Sequence, residues 1–210
     1  MSIISDTLRP EIIRVRRELQ ALMKMRIHIG IQGKADSFTL MVASTHEYGA
    51  TIRAKPGHNL AIPIDPRAVD KSPRDFPDLF FITSKSGHLF GVTRAEGKED
   101  LNFLFLLLPS VTIPERSFIR GSFDNGRKQL AELCEKAIDM IDMDRKTAEE
   151  AANYIGERAA QMTRDYIMAG IDPPKSDITM KTAKTDKPLY NTGRLYESIS
   201  YEIDNGEGEE

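Results

Sequence analysis

The period of the hydrophobic pattern changes at Pro114. In the segment SVTIPERSFIRGSFDNG, residues 110–126, a β-branched run of Val111, Thr112 and Ile113 meets that proline. Beyond it, apolar residues recur at spacings of three and four. Proline fixes φ and has no N–H to give to a ladder, so a strand is expected to stop at Ile113 and the chain to turn a corner. The corner separates a strand-rich stretch, residues 25–113, from a helical one. The expected class is α+β: a mostly antiparallel sheet, including a C-terminal strand, packed by an N-terminal helix and long central helices.

Leu8, Ile12, Val15, Leu19 and Leu22 predict an amphipathic first helix, capped by Ser5 or Asp6, with Pro10 in its first turn. MRIHIGIQG alternates Ile27, Ile29 and Ile31 with Arg26, His28 and Gly30, the period of a strand, with Gly33 as its end. ADSFTLMVASTHEYGA reads as a short helix stopped by Gly49. An extended segment broken at Pro56-Gly57 follows, with Leu60 and Ile62 pointing one way, and residues 65–77 read as a surface loop. Ser86-Gly87 sits between two apolar runs, a hairpin signal. LNFLFLLLPSVTIP is long for one strand, and Pro109 is expected to bend it.

Leu130, Leu133, Cys134, Ala137, Ile138 and Ile141 predict a helix, with Cys134 as a core thiol. Ala148, Ala151, Ala152, Ile155, Ala159, Met162 and Tyr166 continue the pattern up to Gly170. Their small side chains suggest close approach to another helix or to the sheet. Whether Asp142-Met143-Asp144 separates two helices is open, with Asp144 a candidate cap. The expected organisation is a core over residues 1–170 and an extended, unpacked connector over 171–188. Residues 189–203 then rejoin the core as a short helix, capped by Asn191 or Thr192, and a strand. Residues 204–210 form an acidic, disordered tail.

Charge and motifs narrow the function classes. Lys and Arg number 29 and Asp and Glu 32, a formal charge of −3, so no global basic field points to nucleic acid. Basic residues on the first helix (Arg9, Arg16, Arg17) and in the connector are diluted by acids, which makes DNA contact incidental. One cysteine excludes an internal disulfide. The opening twenty residues mix four arginines with acids and amides, so no signal peptide is expected. The most apolar run is too short to span a bilayer. His46-Glu47 opens like a zinc-protease helix, but the second histidine's place is Ala50. GVTRAEGKE has five residues between its glycines where a phosphate loop has four, and Glu99 follows its lysine. No serine stands in a nucleophile elbow. Neither catalysis nor a cofactor is expected, and a metal-dependent hydrolase using His46 and Glu47 is a distant alternative.

Three segments in order, HEYGATI, SVTIPERSFIR and PPKSDITMKTAKTDKPLYNTGRLYESISYEI, resemble the tail-completion and neck proteins of long-tailed bacteriophages. These are also described as virion-morphogenesis or minor tail-component proteins. The likeness is carried by His46, Glu47, Tyr48 and Gly49, then by Ile113, Pro114, Arg116 and Phe118. In the last segment it rests on Pro173, Pro174, Thr179, Lys181, Pro188, Leu189, Thr192, Gly193, Leu195, Ser198 and Ile199. Asn191 stands where such proteins more often have aspartate, and residues 65–109 are longer than in compact members. The resemblance implies a structural protein of the virion, assembled in the host cytoplasm. It would form a homo-oligomeric ring, commonly of six subunits, that joins the tail tube or its terminator to the head connector or adaptor. The runner-up is a DNA-contacting neck or packaging protein. Under the ring reading, Arg116, Phe118 and Arg120 are candidate gripping side chains, because a guanidinium offers a planar, multi-donor contact. The other reading makes Phe118 a core plug and the arginines turn caps. Thr192, Gly193 and Arg194 are candidate residues of an arm that orders on assembly, while Gly49, Pro114 and Asn191 shape turns.

Overall fold

The computed structural model describes residues 3–32, 35–95 and 100–205. In chain order its elements begin α1 (Ile3–Leu22), β1 (Arg26–Ile31), α2 (Ser37–Tyr48), β2 (Ala50–Arg53), β3 (Leu60–Pro63), β4 (Phe80–Thr83) and β5 (Leu89–Arg94). They continue β6 (Leu101–Leu108), β7 (Ser110–Ile113), α3 (Ile119–Asn125), α4 (Arg127–Asp142), α5 (Ala148–Ala169), α6 (Asp177–Thr182), α7 (Arg194–Ser198) and β8 (Ile199–Asp204). All strand pairings among the described residues are antiparallel, so the class is α+β as expected.

The chain divides into two compact units. One comprises Met1–Ala43, Ser117–Ala169 and Gly193–Glu210, the other Ser44–Arg116 and Gly170–Thr192. This differs from the expected single core over residues 1–170. The chain passes between the units within α2, at the Pro114 corner, after α5 and before α7. Reading the sequence in linear blocks does not see such crossings.

In the first unit, β1 pairs with β8 across nearly the whole chain. Ile27, Ile29 and Ile31 stand opposite Ile203, Tyr201 and Ile199, so the period-2 pattern builds one apolar face. The opposite face sets Arg26 against Asp204 and His28 against Glu202. α5 packs on this sheet and buries small residues: Ala148, Ala151, Ala152 and Ala159, which the sequence singled out, and also Gly156 and Ala160. α1 lays Val15, Leu19 and Leu22 on a cluster of Ala137, Ile141 and Ala151.

α1 begins at Ile3, ahead of the expected caps, and Pro10 lies inside it. A proline removes one rung of the ladder, and packing of the apolar face outweighs that loss. The side chains of Ser5, Asp6 and Leu8, and Gly33, lie outside the described residues. The open question at residues 142–144 is answered: α4 ends at Asp142, and the cap of α5 is Thr147 instead of Asp144. The Thr147 hydroxyl accepts from the Glu150 N–H at 3.2 Å, and Glu150 accepts from the Thr147 N–H at 2.9 Å, a capping box. Cys134 is exposed, because α4 centres its buried stripe on Ala137 and Ile141.

In the second unit, β3-β6-β5-β4 form one sheet and β2-β7 a separate ladder. The single expected sheet is therefore three, counting β1-β8. Pro109 divides the two within this unit, since without an N–H it interrupts the long strand and lets β6 and β7 take different partners. One face of the larger sheet is covered by the 65–79 segment, with Ala68, Leu104 and Phe105 buried and Phe76 and Leu79 packed on them. The expected surface loop thus supplies part of a core, anchored by two 3-10 turns at Pro66–Ala68 and Pro73–Asp75. The hairpin turns at Gly87, φ +82°, as its sequence requires. Gly49, φ +70°, and Gly170, φ +97°, follow the helices they were expected to stop.

Candidate functional site at the Arg116 corner

Within the second unit, the segments that carry the resemblance meet at Arg116. β7 ends at Ile113, Pro114 forces the turn, and the Arg116 N–H donates to the carbonyl of His46 near the end of α2 at 2.7 Å. The Arg116 side chain reaches the other way. Its Nε donates to the Pro173 carbonyl at 2.6 Å and its Nη2 to the Pro174 carbonyl at 2.8 Å. A fork of donors gripping two successive carbonyls is geometry that arginine provides and lysine does not. Neither proline has an N–H, so the flanking backbone is free of competing donors and presents acceptors.

Gly49 is needed at this corner on two counts. Its φ of +70° belongs to the left-handed region, and a Cβ there would lie 3.0 Å from the Glu115 nitrogen and 3.2 Å from the Ile113 oxygen. The end of α2 is thereby pressed against the corner. His46 is half-buried, and its Nδ1 has no hydrogen-bond partner among the described residues. Burial, with the Arg116 charge as a second cause, holds its pKa below the ordinary histidine value, so the ring is neutral at neutral pH. Burial likewise lowers the Arg116 guanidinium, without removing its charge.

The segment from 171 to 188 is more ordered than expected. Ser176 caps α6, and Lys175 Nζ donates to the Thr185 carbonyl at 2.8 Å. The Lys175 pKa is lowered by burial, offset in part by Asp186 and lowered further by Arg116. The Thr185 hydroxyl donates to the Tyr190 carbonyl, and Asn191 Oδ1 accepts from the Lys184 N–H at 3.1 Å. Asn191 therefore closes a loop and does not cap α7, whose cap position is Gly193 at φ +82° with no side-chain hydrogen bond.

The candidate contact residues fall into two groups. Arg116 and Phe118 are buried, at 8% and 0% exposure, and are corrected from gripping side chains to interior ones. Their apparent prominence in the sequence came from standing beside a corner, where surface and interior positions alternate within a few residues. Arg120, Thr192 and Arg194 are exposed, Gly193 is buried, and Arg194 lies 3.5 Å from Asp36. Pro114 and Gly49 hold turns as expected. The acceptors Pro173 and Pro174 escaped the sequence reading as partners of Arg116, since a 57-residue separation carries no local signal.

Chemically the corner is a clamp. Arg116 and Lys175 donate to backbone carbonyls, and among the described residues His46 Nδ1 has no hydrogen-bond partner of the kind that orients a general base. Among the described residues no group of three or more His, Cys, Asp or Glu side chains is placed to hold a metal ion, and no helix is long and apolar enough to cross a membrane. Compared with models of protein families, with curated proteins and with solved structures, the chain matches none.

Proposed function

We propose that this chain is a structural subunit of a phage-like particle, of the tail-completion or neck type. Copies form a ring, six by the resemblance, that joins the tail tube to the head connector, and the chain transforms no substrate. The observation that carries the reading is the convergence of the resembling segments on Arg116. The residues of those motifs do architectural work there: they close turns, satisfy backbone carbonyls and press a helix end onto a strand. Rigid corners of this kind are what a subunit needs when its neighbours read its shape. Exposed apolar side chains along α1 and α4, Ile12, Ile13, Met23 and Ile138 among them, supply surface that association would cover.

The test is genetic. Deleting the gene from the particle genome that carries it should leave filled heads and separate tails in lysates viewed by electron microscopy. Fully tailed, infectious particles made without the chain would overturn the proposal. A salt-sensitive mobility shift of DNA by the purified chain, with normal head–tail joining in the deletion, would favour the packaging alternative instead.

A further inference from the structure

A helix that packs on a core by one stripe normally turns polar side chains outward. α1 does not. Ile12 and Met23 are 62% and 85% exposed, and they line an apolar groove of about 430 Å³ together with Leu19, Arg16 and two carboxylates, Glu11 and Asp142. Arg16 on this helix and Lys24, just past its end, are exposed, and among the described residues neither has an ionic partner.

α4, in the same unit, carries the complement. Ile138 is 46% exposed and Met143, just past the helix end, 75%. Glu135, Asp139 and Asp142 follow at spacings of four and three, so they share one edge of the helix. All three are exposed and without an ionic partner among the described residues. On the α1 strip Glu11 is already taken up by Arg14 and Arg145, which leaves Arg16, among the described residues, as the unpaired charge of that helix, while the α4 strip is edged with unpaired carboxylates. Asp142 lines the α1 groove as well, so the strips adjoin.

We infer that these strips are the two halves of a contact between copies of this chain, α1 of one copy lying against α4 of the next. The inference rests on the assembly reading and names the surface it uses. Covering the isoleucines and methionines supplies the hydrophobic drive. The charges set the pairing: a basic edge meets an acidic edge, while α1 against α1 or α4 against α4 brings like charges together. Because the strips adjoin, two copies that match them reciprocally make a two-fold pair, whereas copies that match them in succession close into a ring when the rotation allows, which is the arrangement the assembly reading takes.

Sedimentation over a range of concentrations, with circular dichroism to verify folding, tests this on the full chain. The parent protein should associate, less strongly at high salt. Arg16→Glu should raise the dissociation constant at least about tenfold, and so should the pair Glu135→Lys with Asp139→Lys. Mixing the two variants should restore association, because each then offers the charge that the other lacks; a variant that had merely misfolded could not be rescued this way. If the parent associates and Arg16→Glu leaves association unchanged, or if mixing rescues nothing, this inference falls while the ring reading stands. If the parent remains monomeric throughout, both fall.

Discussion

The ring of Tyr201 on β8 lies directly over Gly156 of α5, where a Cβ would come within 2.3 Å of its Cδ2. The Tyr201 hydroxyl then donates to Asn153 Oδ1 at 2.9 Å, one turn along the same helix. The C-terminal strand is thus seated by an aromatic side chain that requires a gap in the helix surface. Gly156→Ala should destabilise the protein by about 1–3 kcal/mol, since the helix-propensity gain of alanine is smaller than the cost of overpacking. Urea unfolding followed by circular dichroism measures it, and a stabilised variant would contradict the packing described.

Arg116 should be as sensitive as a core residue. Arg116→Ala leaves two carbonyls without their charged donor, a loss of about 1.5–3 kcal/mol for each bond before any relaxation. Arg116→Lys should recover less than half of that, because an ammonium cannot hold both carbonyls in a fork. Thermal melting of the two variants beside the parent checks the order. Equal melting temperatures for parent and lysine variant would show that the fork is immaterial.

His46 sets a pH dependence. Its folded-state pKa lies below the ordinary value of about 6.5, so below that pH the unfolded chain takes up a proton that the folded chain refuses. The contribution is intact above about pH 6.5 and is lost as the pH falls toward the folded pKa. Glu11, Glu18 and Glu150 have lowered pKa values, Glu11 and Glu150 chiefly through Arg14 and Lys146 and Glu18 chiefly through the Ala148 N–H. Their contribution is lost only lower, beneath the ordinary glutamate range. Stability measured from pH 7.5 to 5.5 should therefore fall in the parent and flatten in His46→Gln. A parallel decline in both would exclude His46 as the cause.

Thr147 caps α5 with its side chain. Thr147→Ala should cost about 1 kcal/mol and Thr147→Ser far less, because a serine hydroxyl accepts the same N–H. Denaturant midpoints report this directly, and an alanine variant as stable as the parent would mean that Glu18, which accepts from the Ala148 N–H at 3.0 Å, suffices to cap α5 alone.

What the sequence determined by itself is local. Pro114, Pro109 and the glycines at 49, 87 and 170 act through φ and the missing N–H, properties that belong to the residue wherever it stands, so the breaks they predict are where the structure has them. The alternation of Ile27, Ile29 and Ile31 marked a strand, and the alanines of α5 marked a close approach, for the same reason. Thr147 and Glu150 also stand at capping-box spacing, a local signal that the expectation of Asp144 as the cap passed over.

Partnership was decided only in three dimensions. Nothing in a side chain at 116 specifies carbonyls 57 and 58 residues away, or that α1 would leave Ile12 bare while packing Val15 on the core. Period 3.6 shows which residues share a helix face but not how wide a face its neighbours will cover, which is why Cys134 and Ile12 emerged at the surface and Phe118 went inside. Burial depends on packing between segments distant in sequence, and the free energy that chooses among such packings is a property of the whole fold.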